Sequence, residues 1–283
     1  MPNKHNIDIY TCVCYIYEKM TTMEENSVYP RIILGLDVST ACIGVSVIRD
    51  NGDDTPEILE LTHVSPKISN KIKGIEALFL RKNIFEQTFI PSLTGYGITD
   101  VVIEEPLLGS NNVNTVGTLL RFNGMIAECV YRILKIVPNF ISSYDARMYS
   151  FPELVSLRKY NKKGEVYKLK HIQDAIKKNN IVLFGNYPFD IDKKTVMMNM
   201  VNEKYPNIPW VYNDKGVFKK ENYDACDSLI CALAYVNINH HGIERPVISA
   251  CELNSTSGGM IDVVYKTSIW GREYSKCFSI PEK

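Results

Sequence analysis

No run of this chain approaches the ~18 consecutive apolar residues that a membrane span requires, so no membrane helix is expected. The first residues carry Lys4, His5 and Asp8 in place of a basic start followed by a clean apolar stretch, and a secretory signal is not expected either. Net charge is also missing, with 32 Lys plus Arg against 32 Asp plus Glu. A balanced chain has no global pull toward nucleic acid, membrane or acidic ligands, so any polyanion site must come from local clustering. Cysteines at metal-binding spacing are lacking. The eight present (Cys12, Cys14, Cys42, Cys129, Cys226, Cys231, Cys251 and Cys277) are scattered, several in apolar runs where a thiol behaves as a small hydrophobe. The one tight pair, Cys12 and Cys14, has no second pair at zinc-finger spacing. This usage fits a reducing compartment: the cytoplasm, or a viral replication compartment in the host cell if the chain is virus-encoded.

What is present is a patterned chain of 283 residues with 45% hydrophobic content, enough for a sizeable core in one large domain or two small ones. Residues 1–30 show no periodicity and read as an N-terminal extension. From Arg31 the pattern sharpens. The apolar run Ile32 to Leu36 ends in Asp37, Gly44 to Ile48 forms a second strand candidate, Asn51-Gly52 marks a turn, and residues 57–64 read as a third strand. Apolar positions at helical spacing predict one long helix over 71–93. Asp100-Val-Val-Ile-Glu-Glu105 reads as a buried strand that Pro106 stops. A polar loop, a helix over 115–136 and a strand over 140–144 follow. Proline breaks up 181–221, which reads as an insertion around one short helix at 193–204. A late helix, which Asn222 would cap if its aspartates are ordinary N-terminal decoration, precedes a C-terminal extension, 240–283, with possible strands at 260–266. Alternating strands and helices indicate a layered α/β fold.

The carboxylates carry the chemistry. Asp224 and Asp227 stand three residues apart at the start of the late helix, so both face one way with Cβ atoms roughly 5–6 Å apart. Like charges that close repel unless a cation lies between them. As ordinary helix decoration they would meet the macrodipole at the N-terminus. Asp37 and Glu104 each close a core strand, which is where sites form in α/β sheets, although a strand leaving the core for solvent looks the same. Converging, the four make a hard-oxygen cluster suited to Mg²⁺ or Mn²⁺. Glu105 competes with Glu104, since a one-residue shift faces a side chain to the opposite side of a sheet.

The ordered series Gly35-Leu-Asp37-Val-Ser39 with Gly44, then Val-Val-Ile-Glu104-Glu-Pro, then Asp224-Ala-Cys-Asp227-Ser-Leu-Ile-Cys-Ala-Leu-Ala resembles the RuvC-like Holliday junction resolvases of the RNase H-like nuclease superfamily. The resemblance runs from about residue 31 to 238. It implies an RNase H-like α/β fold, a central mixed β-sheet flanked by α-helices, with the nuclease domain at 31–239. It also implies a homodimer, pairing through the helix over 115–136, that nicks four-way DNA junctions with two Mg²⁺ per site (Mn²⁺ substituting) and leaves 5′-phosphate ends in recombination and repair. The metal-binding and catalytic roles would fall on Asp37, Glu104, Asp224 and Asp227.

DNA contact is expected from the basic stretch 158–170, interleaved with Tyr160 and Tyr167. Lys163, Lys168 and Lys170 are the candidates, and a solvated charged face is the plainer reading. In the loop after Glu104, Asn111, Asn112 and Asn114 could reach the strand near the cut, or simply be turn residues. Insertion 181–221 and tail 240–283 are departures from a minimal resolvase. A flap or hybrid nuclease, or a catalytically silent DNA-binding subunit, remains an alternative. A sugar kinase or actin-like ATPase would share the opening Gly35 to Thr40 but needs glycine-rich phosphate loops, and Gly258-Gly259 is the only adjacent pair.

Overall fold

The computed structural model describes residues 30–53, 55–106, 112–242, 246–256, 258–269 and 272–282. The extension 1–29, with Cys12 and Cys14, and the loop residues 107–111, with Asn111, lie outside them.

Successive residues of β1 (Arg31–Val38) face opposite sides of a sheet. Ile32, Leu34, Leu36 and Val38 join one apolar cluster with Ile43, Val45 and Val47 of β2 (Ile43–Asp50), while Ile33 and Ile48 belong to a second cluster on the other face. β3 (Glu57–Val64) completes an antiparallel meander with them. The helix expected over 71–93 is two: α1 (Gly74–Thr88) and a single turn, α2 (Ile90–Leu93). Pro91 accounts for the break, since it has no N–H to donate to the Gln87 carbonyl four residues back and serves best in the first turn of a helix.

β4 (Asp100–Glu104) lies parallel to β1. α3 (Val113–Leu134) starts two residues before expectation because Asn112 caps it, accepting from the backbone N–H groups of Asn114 and Thr115. β5 (Asn139–Ile141) pairs parallel to β4 and is shorter than expected, because Ser142 caps α4 (Ser143–Ser150) and takes Ser143 and Tyr144 into that helix. The five strands run β3-β2-β1-β4-β5. Leu78 and Phe85 of α1 and Phe122, Ile126 and Val130 of α3 cover one face.

β6 (Val155–Leu157), α5 (Leu169–Lys177), β7 (Ile181–Leu183) and α6 (Lys193–Lys204) lead to α7 (Glu221–Asn239), which covers the opposite face. Every residue of α7 from Ala225 to Asn237 is buried, with Asp227, Ser228 and Asn237 as the polar exceptions in an otherwise apolar stretch. The result is the anticipated layered α/β architecture: a central mixed sheet with helices on both faces. The tail forms an antiparallel sheet of β8 (Val247–Thr256), β9 (Met260–Ile269) and β10 (Arg272–Pro281). Its residues Val263, Tyr265, Phe278 and Ile280 pack with Leu157 and Ile172. Gly258 and Gly259, at φ 101° and 69°, supply the left-handed turn between β8 and β9 and make no phosphate loop.

Candidate metal centre

Strand register brings the first two carboxylates together. β1 and β4 are parallel neighbours with Leu36 paired to Ile103, so the next residue of each, Asp37 and Glu104, emerges side by side. Alternation puts both on the α7 face, with Ile33 and Gly35 on β1 and Val102 on β4. Glu105 therefore points away and is exposed, while its N–H donates to the Ile141 carbonyl.

Two glycines let α7 close down on that face. A Cβ on Gly44 would lie 1.9 Å from the Asp224 carbonyl oxygen, and one on Gly35 would lie 2.3 Å from that of Ser228. The approach delivers Asp227: one oxygen from each of Asp37, Glu104 and Asp227 lies within 4.8 Å of the others. Asp224 is outside that group, one turn earlier on α7, where the buried Cys42 thiol donates to it. Asn222 is not the N-cap. It sits inside α7, 2% exposed, and clamps the Val211 backbone, accepting from its N–H at 3.1 Å and donating to its carbonyl at 2.8 Å. The capping position is Lys220, with no side-chain cap.

Burial lifts the Asp37 carboxyl well above the usual range, and the charges of Glu104, Asp227 and Asp224 add to it. Glu104 is pushed up to about 7, first by burial and then by Asp227. Burial also raises Asp227, but two cations that sequence reading missed oppose it. Arg147 of α4 places Nη2 3.7 Å from Asp227 Oδ1, and Lys194 of α6 places Nζ 3.6 Å from Oδ2. Neither had a signal: Arg147 lies past the strand expected over 140–144, where no element was expected, and Lys194 in the stretch read as an insertion.

The remaining candidates are dispersed. Lys163 occupies an exposed turn, Lys168 is the N-cap position of α5, and Lys170 lies in its first turn, all three exposed. Asn112 is a helix cap, and Asn114, exposed, lends its carbonyl to the Thr118 hydroxyl. Among the described residues, no helix is long and apolar enough to cross a membrane.

No protein-family model and no curated protein matches the sequence. Solved structures do. Thermus thermophilus RuvC is similar over 75% of this chain and 96% of its own, at 12% identity and a TM-score of 0.44. The same protein in complex with Holliday junction substrate gives 10% and 0.46 over the same shares. The yeast mitochondrial Holliday junction resolvase Ydc2 gives 12% and 0.38, over 75% of this chain and 80% of that one. The Aquifex aeolicus PPX-GPPA enzyme gives 8% and 0.30, over 89% of this chain and 52% of its own.

Proposed function

We propose that this chain is a metal-dependent endonuclease that resolves four-way (Holliday) DNA junctions. The observation that carries the reading is the convergence of Asp37, Glu104 and Asp227 within 4.8 Å. An all-oxygen anionic group, drawn from two parallel strands and a helix seated on glycines, suits a small hard cation, Mg²⁺ with Mn²⁺ as substitute. The donors fit that role. Burial and mutual repulsion destabilise the ionised carboxylates, and a divalent cation relieves both.

On this reading Asp37, Glu104 and Asp227 hold the metal, two ions per site, with Asp224 completing the set from the first turn of α7. Bound there, the metal would supply an activated water and stabilise the leaving oxygen, leaving a 5′-phosphate end. Arg147 and Lys194 balance the charge beside Asp227 and offer donors to a substrate phosphate. Lys163, Lys168 and Lys170, with Asn112 and Asn114, contact DNA. Residues 31–239 form the nuclease domain and 240–283 an extension to it. A homodimer in the cytoplasm completes the proposal, and the outward face of α3 supports it: Val113, Leu120 and Tyr131 are all exposed there.

The test is cleavage of a synthetic four-way junction beside duplex, flap and RNA–DNA hybrid, with Mg²⁺ or Mn²⁺, comparing wild type with Asp227→Asn. Metal-dependent junction cutting, lost in the variant while DNA binding survives, is the expected result. Preferential cutting of flap or hybrid would reassign the substrate. No cutting of any substrate by the wild type would leave a DNA-binding subunit.

A further inference from the structure

The chain carries one short motif twice. Tyr160-Asn161-Lys162-Lys163-Gly164-Glu165-Val166 and Tyr212-Asn213-Asp214-Lys215-Gly216-Val217-Phe218 share Tyr-Asn, a Lys-Gly pair and their spacing. Both fold into the same hairpin. Tyr160 bridges Val166, and Tyr212 bridges Phe218. Asn161 Oδ1 accepts from the N–H groups of Lys163 (2.8 Å) and Glu165 (3.0 Å), and Asn213 Oδ1 accepts from those of Lys215 and Val217 (both 2.9 Å). Gly164 and Gly216 close the turns at φ 79° and 72°. Each tip is thus a stiff asparagine-braced turn that holds a lysine out into solvent: Lys162, Lys163 and Lys215 are all exposed.

The start of α6 neighbours both hairpins, the first across a cavity and the second through Tyr223 of α7. Tyr160 and Asn161 line a cavity of about 130 Å³ together with Phe184 and Lys193, whose Nζ lies 5.8 Å from the Phe184 ring centre. Phe218 of the second hairpin packs edge-on to Tyr223 at 5.6 Å, and Lys194 Nζ lies 5.7 Å from the Tyr223 ring. Lys194 in turn reaches Asp227 at 3.6 Å. Lys194 thus links the second hairpin, through Tyr223, to the acidic group, and Lys193 beside it lines a cavity shared with the first. Charge collects in the same two places: six basic residues and one acidic between 158 and 170, three and one between 211 and 220, in a chain of zero net charge.

We infer that the two hairpins are matched fingers that grip the DNA phosphate backbone at two points beside the metal centre, Lys162 and Lys163 at one and Lys215 at the other. The inference rests on the nuclease reading and deepens it by adding the second finger. Lysine ammonium groups on rigid turns act as point charges for phosphate and carry no base readout, so the grip is independent of sequence.

The experiment measures binding of a four-way junction in EDTA across a salt series, by fluorescence anisotropy, for wild type, Lys163→Glu, Lys215→Glu and the double variant. Each reversal is expected to weaken binding severalfold and to flatten the salt dependence by about one unit of slope or more, with the two effects combining in the double variant. The milder Lys163→Gln and Lys215→Gln give the same order with smaller losses, and thermal melting verifies that each variant is folded. If wild type binds and cuts the junction and Lys215→Glu binds as tightly with the same salt slope, the two-finger grip is wrong and the nuclease reading stands. If wild type binds no DNA, both fall.

Discussion

On Gly44 of β2, a Cβ would stand 1.9 Å from the carbonyl oxygen of Asp224 on α7. The atom in the way belongs to the backbone, so no rotamer change can make room and the helix must lift. Gly44→Ala is therefore expected to cost at least the ~1–3 kcal/mol of an overpacked core and to move Asp227 away from Asp37 and Glu104. Urea denaturation measures the first effect, and the thermal shift produced by Mg²⁺ the second. Gly95→Ala is the control, since nothing lies within 4 Å of a Cβ there. Equal stability of the two variants would mean that the close seat of α7 is not needed.

The acidic group links metal, pH and stability. Burial, then Asp227, holds Glu104 at about 7, and burial with three neighbouring carboxylates holds Asp37 well above its ordinary value. A carboxyl whose pKa is higher folded than unfolded binds more protons when folded. Its stabilising contribution is full below the unfolded value, ~4.3 for glutamate, and is lost as pH rises through the folded one. Metal-free protein should thus lose stability from about pH 5 to about pH 8, Glu104→Gln should lose less, and Mg²⁺ should restore stability at the higher pH. Denaturation curves in EDTA at both pH values decide it. Parallel pH profiles for wild type and Glu104→Gln would contradict it.

Much of this site was legible in the sequence because strand chemistry is local. The apolar runs Ile32 to Leu36 and Val101 to Ile103 each end in a carboxylate. They are apolar at every position, however, and leave Glu104 and Glu105 in competition, which strand register and the packing of α7 decide. Asp227 was found through its spacing from Asp224. Arg147 and Lys194 were not legible, because their approach to Asp227 depends on how α4 and α6 pack around α7, which no local pattern records. Asn222 has the residue type of a cap, but its amide is taken by Val211, eleven residues back, again a contact no local pattern records. Pro91, which splits the helix expected over 71–93, was in plain view and was outweighed by the apolar periodicity around it.

Lys194 stands where it competes with a cation for Asp227 Oδ2, at 3.6 Å, and its side chain is 51% exposed. Lys194→Gln is expected to lower metal-free stability at neutral pH by no more than about 1 kcal/mol, because solvent screens a half-exposed pair. It should also enlarge the stabilisation gained from Mg²⁺, because one positive charge no longer opposes the ion. Melting temperatures with and without Mg²⁺ measure both. A smaller metal-induced shift in the variant would show that Lys194 supports metal binding instead of opposing it.

Asp224 and Asp227 share a helix and a spacing but not a position. Asp227 is 8% exposed and shares the 4.8 Å group with Asp37 and Glu104, whereas Asp224 stays outside it and acts on Asp37 and Glu104 through its charge. Replacing a group at the margin of a metal site costs about 10–100-fold in metal affinity or activity, so Asp224→Asn should retain measurable junction cleavage at raised Mg²⁺. Asp227→Asn removes an oxygen donor from the group itself and should stay inactive however much metal is added. Single-turnover cleavage across a Mg²⁺ titration separates the two outcomes, as a rightward shift for Asp224→Asn and a loss of plateau for Asp227→Asn. If both variants lose the plateau alike, then Asp224 moves in to ligate when metal binds, and the spacing of the two aspartates marks two equal ligands.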